Sequence, residues 1–230
     1  MRKVVISIRS HNFPEQLTLV FDLFENLVPK TVERFVSLCT GRNSSKVSYK
    51  LAPITRVVAP EFIVQAGKIE RPSPSGTQPS EKRLLDIQEY NDVILSGRNK
   101  NFVSSGLLCV AEMPEDSEYD EEIVSVSSPE FFITLQSLSQ YEEKLSKYLV
   151  IGRLASDLDQ FVDWMSQIKV DKSDVPVSAI WIDRCGELIP NANEKTEPEI
   201  VKEKQKRRKH HRHSDRKEGK VKKLRFVGEN

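Results

Sequence analysis

The chain is built mainly from short strand-like runs, and this pattern limits its fold more than any other feature. Residues 3–9 alternate apolar and polar side chains, which places Val4, Ile6 and Ile8 on one face of a half-buried strand. Further runs predict strands over 17–24, 54–58, 61–66, 106–111, 130–135, 148–151 and 177–183, with a weaker strand signal near 91–95. About eight strands of this length, separated by turns, are typical of an all-β sandwich or barrel.

Only two segments have the apolar spacing of an amphipathic helix. Residues 30–39 follow Pro29, which suits a first helical turn, and end just before Gly41, which suits a helix C-terminus. The second segment is 157–168. The predicted apolar face of the first helix consists of Val32, Phe35, Val36 and Cys39. That of the second consists of Leu158, Phe161, Val162, Met165 and Ile168. The helices do not alternate with the strands, so closure into a barrel is the expected way to hide the strand edges.

Charge divides the 230 residues into two parts. The chain has 35 Lys and Arg and 34 Asp and Glu; residues 194–230 hold 14 and 7 of these, which leaves 21 and 27 for the rest. The body is therefore slightly acidic and the tail strongly basic. Like-charge repulsion and the scarcity of large apolar residues after position 200 predict a disordered tail. We expect a folded domain over 1–190 and a basic, disordered tail over 191–230.

Several classes of protein are excluded by simpler features. No run of 18 uncharged apolar residues exists, so no membrane span and no membrane partner are predicted. The N-terminus lacks the apolar core of a signal peptide, so secretion is not expected. Cys39, Cys109 and Cys185 are widely spaced and form no Cys-x-x-Cys pair, which predicts reduced thiols in a reducing compartment. Nothing indicates an organic cofactor or a metal.

Five segments of the body, in order, resemble stretches of the cyclophilins, a family of peptidyl-prolyl cis-trans isomerases. They are FDLFENLVPKTVERFVSLCTG (21–41), ITRVVAPEFIVQAG (54–67), GLLCVA (106–111), SPEFFITL (128–135) and VIGRLASDLDQFVDWM (150–165). The ending IDRCGELIP (182–190), followed by a basic tail, is most similar to nuclear SR-type cyclophilins. The resemblance covers residues 1 to about 190. It implies a mainly β domain, a closed eight-stranded antiparallel β-barrel capped by two α-helices.

The resemblance also implies a site for an X–Pro peptide. Arg56 matches the catalytic arginine and Gln65 the glutamine that orients the arginine and the substrate. The matching residues of the proline pocket and groove are Phe62, Ile63, Ala111 and Phe132, with Ile63 in place of the usual methionine. Rotation about the X–Pro amide has a barrier of ~18–20 kcal/mol because its C–N bond has partial double-bond character. An arginine that donates a hydrogen bond towards the prolyl nitrogen would lower that barrier.

Other positions depart from the family pattern. Glu112 replaces the asparagine after the alanine, Glu130 the glutamine before the Phe-Phe pair, Tyr148 the pocket histidine and Thr55 the histidine before the arginine. The expected tryptophan is absent from 136–147, which is longer by about three residues, and seven carboxylates fill 112–122. A carboxylate near the groove would pair with Arg56 and hold it away from substrate. We therefore expect weak or absent isomerase activity.

Simpler interpretations of these residues remain open. In these interpretations, Arg56 is a surface arginine of an unrelated barrel, and Phe62 and Phe132 are ordinary core residues. Gln65 and Tyr148 then have no role beyond packing. The acidic stretch 112–122 is by default a solvated loop. The alternative is that it is a docking surface for a basic peptide, either from a partner or from this chain's own tail.

The basic tail suggests a setting in the nucleus. Lys206, Arg207, Arg208 and Lys209 fit an import signal or an RNA patch, and import is favoured because no aromatic residue is interleaved to stack on bases. His210, His211 and His213 lack thiol or carboxylate partners, so no metal site is predicted there.

The sequence thus favours a nuclear cyclophilin-like protein with a monomeric body. It would bind proline-containing or basic peptides of protein partners, by analogy in a pre-mRNA splicing assembly. The alternatives are an active prolyl isomerase that acts on nuclear proteins, and an RNA-binding protein that uses its tail for weak RNA contact.

Overall fold

The structure, a computed structural model, describes residues 1–44, 46–69, 84–99, 104–111 and 128–190, and the backbone of 224–227. Nine strands are described: β1 (Lys3–Ser10), β2 (Leu17–Leu23), β3 (Ile54–Val57), β4 (Ile63–Ala66), β5 (Leu107–Val110), β6 (Phe131–Thr134), β7 (Val150–Leu154), β8 (Ile180–Pro190) and β9 (Leu224–Val227). The described helices are α1 (Pro29–Thr40), α2 (Ile87–Leu95), α3 (Glu142–Leu145) and α4 (Leu158–Ser166), with a 3₁₀ turn at Ser139–Tyr141.

Eight of the strands form a nearly closed antiparallel barrel in the order β3-β4-β6-β5-β7-β2-β1-β8. The gap between β8 and β3 is bridged by the residues that precede β3. The Leu51 N–H donates to the Ile182 carbonyl at 2.7 Å, and the Ile182 N–H donates to the Ala52 carbonyl at 2.9 Å. The eight-stranded antiparallel barrel predicted above is therefore confirmed. Val4, Ile6 and Ile8 are buried, as the alternation predicts.

The two predicted helices pack against the strands of the barrel and share its hydrophobic core. Helix α1 packs against β8 and β1, and α4 packs against β2. The predicted face of α1 is buried throughout, and Gly41 ends the helix at a φ of 67°. In α4 the residues Phe161 and Met165 are buried, and the flanking apolar residues pack partly against the same core. Asp157 caps α4 by accepting a hydrogen bond from the Gln160 N–H.

The strand signal near 91–95 is wrong, because these residues belong to α2. Asp86 caps this helix by accepting a hydrogen bond from the Glu89 N–H at 3.1 Å. Helical spacing then places Glu89 and Val93 on one buried face, towards α1. The β-branched residues in this run favour a strand, but the cap and the packing against the neighbouring helix favour the helical conformation.

One strand comes from the segment predicted as a tail. Strand β9 pairs antiparallel with the end of β8, in the register Glu187↔Val227 to Pro190↔Leu224. The sequence analysis did not predict this ninth strand, because four residues in a basic context carry little strand signal. Positions 191–223 and 228–230 lie outside the described residues. Within the described part of the chain, no helix is long and apolar enough to cross a membrane.

Candidate active site

A cavity of about 120 Å³ opens on one face of the barrel. Its lining consists of Arg56, Phe62, Ile63, Gln65, Ala111, Phe132, Leu145 and Tyr148. All six residues that the resemblance assigned to the arginine site, the proline pocket and the groove therefore surround one space. Tyr148, noted as a departure from the family pattern, also lies in this lining. The roles assigned to these residues remain predictions.

The register of four strands brings the lining together. Arg56 in β3 pairs with Gln65 in β4, and Gln65 pairs with Phe132 in β6. Cys109 in β5 is the next partner of Phe132, and Ala111 follows directly after this strand. Side chains alternate along a strand, so neighbours face opposite sides. Phe131 accordingly points into the core, while Phe132 lines the cavity.

Aromatic rings form the walls of the cavity. The Phe132 and Tyr148 rings meet edge to face, with 5.2 Å between centroids and 90° between planes. The Phe62 ring meets the ring of Tyr141 at 5.5 Å and 74°. Edge-to-face contacts of this kind orient both rings, because the positive edge of one faces the negative face of the other. The orientation of these rings is thus fixed by their contacts with one another.

Leu145 is a lining residue that the sequence analysis missed. It is buried at the end of α3 and packs in the same apolar cluster as Phe132 and Val150. It lies in 136–147, the stretch that lacks the family tryptophan and is longer by about three residues. The sequence did contain a signal for it, because Leu145 is an apolar residue within this otherwise mostly polar stretch.

Arg56 lines the cavity and is paired with a carboxylate at the same time. Its Nε and Nη2 atoms donate to Oδ2 of Asp174 at 3.2 and 2.8 Å. The two side chains are 45% and 35% exposed. Among the described residues the guanidinium makes no hydrogen bond to Gln65, whose expected orienting role therefore gains no support from a direct contact. A carboxylate partner for Arg56 was predicted near the groove, and the structure places Asp174 there, which the sequence analysis did not consider.

Asp174 sits in a tightly bonded turn between α4 and β8. Its φ is 63°, in the left-handed region where Asp, Asn and Gly are the usual residues. Oδ1 of Asp171 accepts hydrogen bonds from the N–H groups of Ser173 and Val175 at 2.8 and 3.1 Å. The carbonyl of Asp174 accepts a hydrogen bond from the Val57 N–H at 2.9 Å. The turn is thereby attached to the strand that carries Arg56.

The remaining predicted positions fall into two groups. Thr55 and Glu130 are described but lie outside the cavity lining. The Thr55 hydroxyl donates to the Gln65 carbonyl at 3.3 Å, and the Glu130 carboxylate accepts from Ser128 at 3.3 Å. Glu112, the acidic stretch 112–122 and the basic residues Lys206, Arg207, Arg208 and Lys209 lie outside the described residues. No group of three or more metal-ligating side chains occurs in the described part of the chain.

Comparison with known proteins matches this fold and site to one family. The model of the cyclophilin type peptidyl-prolyl cis-trans isomerase family matches residues 6–187. The chain is 28% identical over 177 residues to peptidyl-prolyl cis-trans isomerase cyp11 of Rhizopus delemar, which covers 74% of this chain and 46% of that protein. It is 26% identical over 186 residues to peptidyl-prolyl cis-trans isomerase 9 of Caenorhabditis elegans, covering 78% and 53%.

A third relative, peptidyl-prolyl cis-trans isomerase B of Saccharomyces cerevisiae, is 27% identical over 176 residues, covering 75% of this chain and 73% of that protein. The match thus spans about half the length of the first two relatives and most of the third. The family match covers nearly the whole barrel, from β1 to β8. This chain therefore belongs to the cyclophilin-type peptidyl-prolyl cis-trans isomerase family.

Proposed function

We propose that this chain is a nuclear protein that binds X–Pro segments of protein partners in the cavity and isomerises them slowly. The observation that carries the proposal is the position of Arg56 on the same cavity as Phe62, Ile63 and Phe132. A cavity with apolar walls and the permanently charged Arg56 suits an X–Pro segment. The proline ring can pack against the walls while the arginine faces the amide that precedes the ring. The cavity, at about 120 Å³, is close in size to one of about 150 Å³ that takes up benzene.

The chemistry requires no covalent step. The apolar walls would hold the proline ring while the preceding carbonyl rotates. Arg56 would donate a hydrogen bond towards the prolyl nitrogen, which favours the twisted amide over the planar one. Arginine keeps its charge at all relevant pH values, so this donor needs no activating proton transfer. Binding that is stronger in the twisted state than in the planar state is what accelerates the reaction.

The expectation of slow turnover rests on the groove around this cavity. By the resemblance, Glu112 replaces an asparagine that binds the substrate backbone, and Glu130 replaces a glutamine. An ionised carboxylate only accepts hydrogen bonds, whereas an amide also donates them to a peptide carbonyl. Tyr148 replaces the histidine of the pocket. These replacements would weaken the hold on the substrate backbone and leave the proline slot in place.

The test is isomerisation of a proline peptide by the wild type and by Arg56→Ala, with peptide binding measured in the same samples. The loss of one preorganised donor should lower the rate by about 100-fold, with the dissociation constant changed by less than about threefold. Arg9→Ala is the matched control, because Arg9 is also an exposed arginine paired with an aspartate, 3.3 Å from Asp183, and lies outside the cavity lining.

Three outcomes distinguish the candidate functions. Catalysis lost only in Arg56→Ala supports a slow isomerase. Binding without catalysis in the wild type would make the chain a proline-peptide reader, the form of this proposal in which isomerase activity is lost. Neither binding nor catalysis would contradict the proposal and move attention to the acidic stretch and the basic tail.

The nuclear part of the proposal rests on the basic residues 206–209. A fluorescent fusion of the whole chain should leave the nucleus when Lys206, Arg207, Arg208 and Lys209 are all changed to alanine. The control changes Lys217, Lys220, Lys222 and Lys223 to alanine, which removes the same charge elsewhere in the tail. Unchanged nuclear accumulation in the first variant would contradict an import role. RNA affinity that falls steeply with salt and disappears on deletion of 194–230 would favour the RNA-binding alternative.

A further inference from the structure

The pairing of Arg56 with Asp174 has a consequence for the reaction. We propose that Asp174 is a positioning residue, which holds the Arg56 guanidinium in the orientation that faces a bound X–Pro peptide. The inference rests on the proposed isomerase function and adds a residue to it. Asp174 itself does not line the cavity, so it would act through Arg56 and not on the peptide.

The geometry of the pair leaves donors available to substrate. A guanidinium has five N–H groups, one on Nε and two on each terminal nitrogen. The carboxylate takes one from Nε and one from Nη2, both at the single atom Oδ2, at 3.2 and 2.8 Å. Both Nη1 donors and the second Nη2 donor are not used by Asp174. Among the residues that the structure describes, Asp174 alone accepts hydrogen bonds from this guanidinium, so the pair turns one edge to the carboxylate while Arg56 lines the cavity, and the other donors are left for a ligand.

The backbone of Asp174 is held in place relative to Arg56. The Val57 N–H, on the residue that follows Arg56, donates to the Asp174 carbonyl at 2.9 Å. The Asp174 N–H donates to the Asp171 carbonyl at 3.2 Å, and the Asp171 carboxylate bonds two further N–H groups of the turn. The position of Asp174 is therefore fixed by the backbone of β3 and of the turn.

This arrangement reduces the entropy that Arg56 loses during the reaction. An exposed arginine side chain samples many rotamers, and ordering it for one hydrogen bond opposes catalysis. A partner that already selects one orientation in the free protein supplies that ordering before substrate arrives. The effect should appear in kcat rather than in substrate binding, because the donor acts on the twisted amide.

The opposite interpretation predicts the opposite sign. If Asp174 withdrew Arg56 from substrate, as first expected of a carboxylate near the groove, its removal would raise kcat. The experiment compares Asp174→Asn and Asp174→Gly, because both residues tolerate a φ of 63° and neither adds backbone strain. Asp183→Asn is the control, since Asp183 pairs with Arg9 and Arg184 and lies outside the cavity lining.

We expect kcat for a proline peptide to fall about two- to fivefold in both Asp174 variants, the range for an exposed ion pair. KM, the peptide dissociation constant and the thermal midpoint should stay near the wild-type values. Salt at 1 M should lower kcat of the wild type and leave Asp174→Gly unchanged, because salt screens the pair that the variant lacks. In ¹⁵N–¹H NMR spectra the Arg56 Nε–H signal should be sharp in the wild type and lost to exchange in Asp174→Gly.

The outcomes separate this proposal from the one on which it rests. An active wild type with kcat unchanged or raised in the Asp174 variants overturns the positioning role and leaves the isomerase function standing. A wild type that shows no isomerisation overturns the positioning role and the isomerase activity, whether or not it still binds the peptide. A lower kcat in the variants that is accompanied by an equal rise in KM and a lower thermal midpoint would indicate a structural role for the turn, and would also overturn the proposal.

Discussion

The Tyr148 ring stands perpendicular to the Phe132 ring, with 5.2 Å between their centroids, and both residues line the same cavity. Tyr148 thus forms part of the wall against which a proline ring would pack. Its ring, rather than its hydroxyl, makes this contact.

Removal of the Tyr148 ring should weaken peptide binding. Tyr148→Ala removes part of the wall that a proline ring would cover on binding; roughly 40 Å² of lost apolar contact at about 25 cal/mol per Å² is about 1 kcal/mol, so the dissociation constant for a proline peptide should rise about three- to tenfold. Tyr148→Phe keeps the ring and should bind within about twofold of the wild type. A fluorescence or calorimetric titration measures both, and equal affinities for all three proteins would show that the ring does not contact the peptide.

Glu89 should contribute to stability through α1 and not through the cavity. The first residue before α1, Val28, supplies no side-chain cap. Instead the buried Glu89 carboxylate accepts hydrogen bonds from the N–H groups of Lys30 and Thr31 at 2.6 and 2.9 Å, and from the Thr31 hydroxyl at 3.0 Å. A negative charge at this helix end is also favoured by the helix dipole.

Glu89→Gln should therefore lower the free energy of unfolding by about 1–3 kcal/mol, because an amide offers one acceptor oxygen where two N–H groups need partners. The thermal midpoint should fall by about 2–4 °C per kcal/mol in a chain of this size. Asp92→Asn, on the exposed side of the same helix, should change stability by less than about 0.5 kcal/mol. Equal stabilities for the two variants would argue against the cap.

Gly67 should not tolerate a side chain. Its φ is 94°, and a Cβ there would lie 2.8 Å from Cδ1 of Phe131 and 3.0 Å from the Pro129 carbonyl oxygen. The Phe131 ring cannot easily move, since it packs edge to face against Phe35 and Tyr49 at 5.4 and 5.2 Å.

Gly67→Ala should cost about 2–4 kcal/mol of unfolding free energy, from overpacking together with an unfavourable φ. Gly97→Ala is the matched control: its φ is 64°, but nothing lies within 4 Å of the added Cβ. The control should cost only about 1–2 kcal/mol, from the backbone alone. Urea denaturation of the two variants measures the difference, and a Gly67→Ala as stable as Gly97→Ala would contradict the close contact with Phe131.

The cysteines should make the fold less stable at high pH. Burial raises the pKa of Cys185 from its ordinary value near 9 to about 11, and raises the pKa values of Cys39 and Cys109 well above 9. The unfolded chain releases these thiol protons at lower pH than the folded chain. The contribution of the Cys185 thiol to the free energy of unfolding is therefore fully present below pH 9 and is lost as the pH rises towards 11.

For Cys185 this loss should reach about 2 kcal/mol between pH 8 and 10.5. The Cys185→Ala variant should lose about that much less over the same interval, because the two proteins differ only in this thiol. Urea midpoints at the two pH values give the comparison. Parallel losses in the two proteins would show that the folded state does not hold the Cys185 proton.

Local pattern was sufficient for most of the barrel. The two-residue alternation at Val4, Ile6 and Ile8 predicted a buried strand face, and the helical spacing at Val32, Phe35 and Val36 predicted the buried face of α1. Where two local signals competed, as at 91–95, the strand prediction was wrong, because the Asp86 cap and the packing of Val93 favoured a helix. The residues of the cavity lining came mainly from the family resemblance, which carries three-dimensional information that periodicity lacks.

Tertiary structure decided which of these residues work together. Glu89 caps a helix that begins about 60 positions earlier, and Asp174 binds an arginine 118 positions earlier. Leu145 lines the cavity at the end of a short helix that the sequence pattern did not predict. Amphipathic periods report on neighbours two to four positions apart, since those spacings follow from backbone geometry alone. Which carboxylate meets which arginine depends on how distant turns dock after the barrel closes, and only the folded chain determines that.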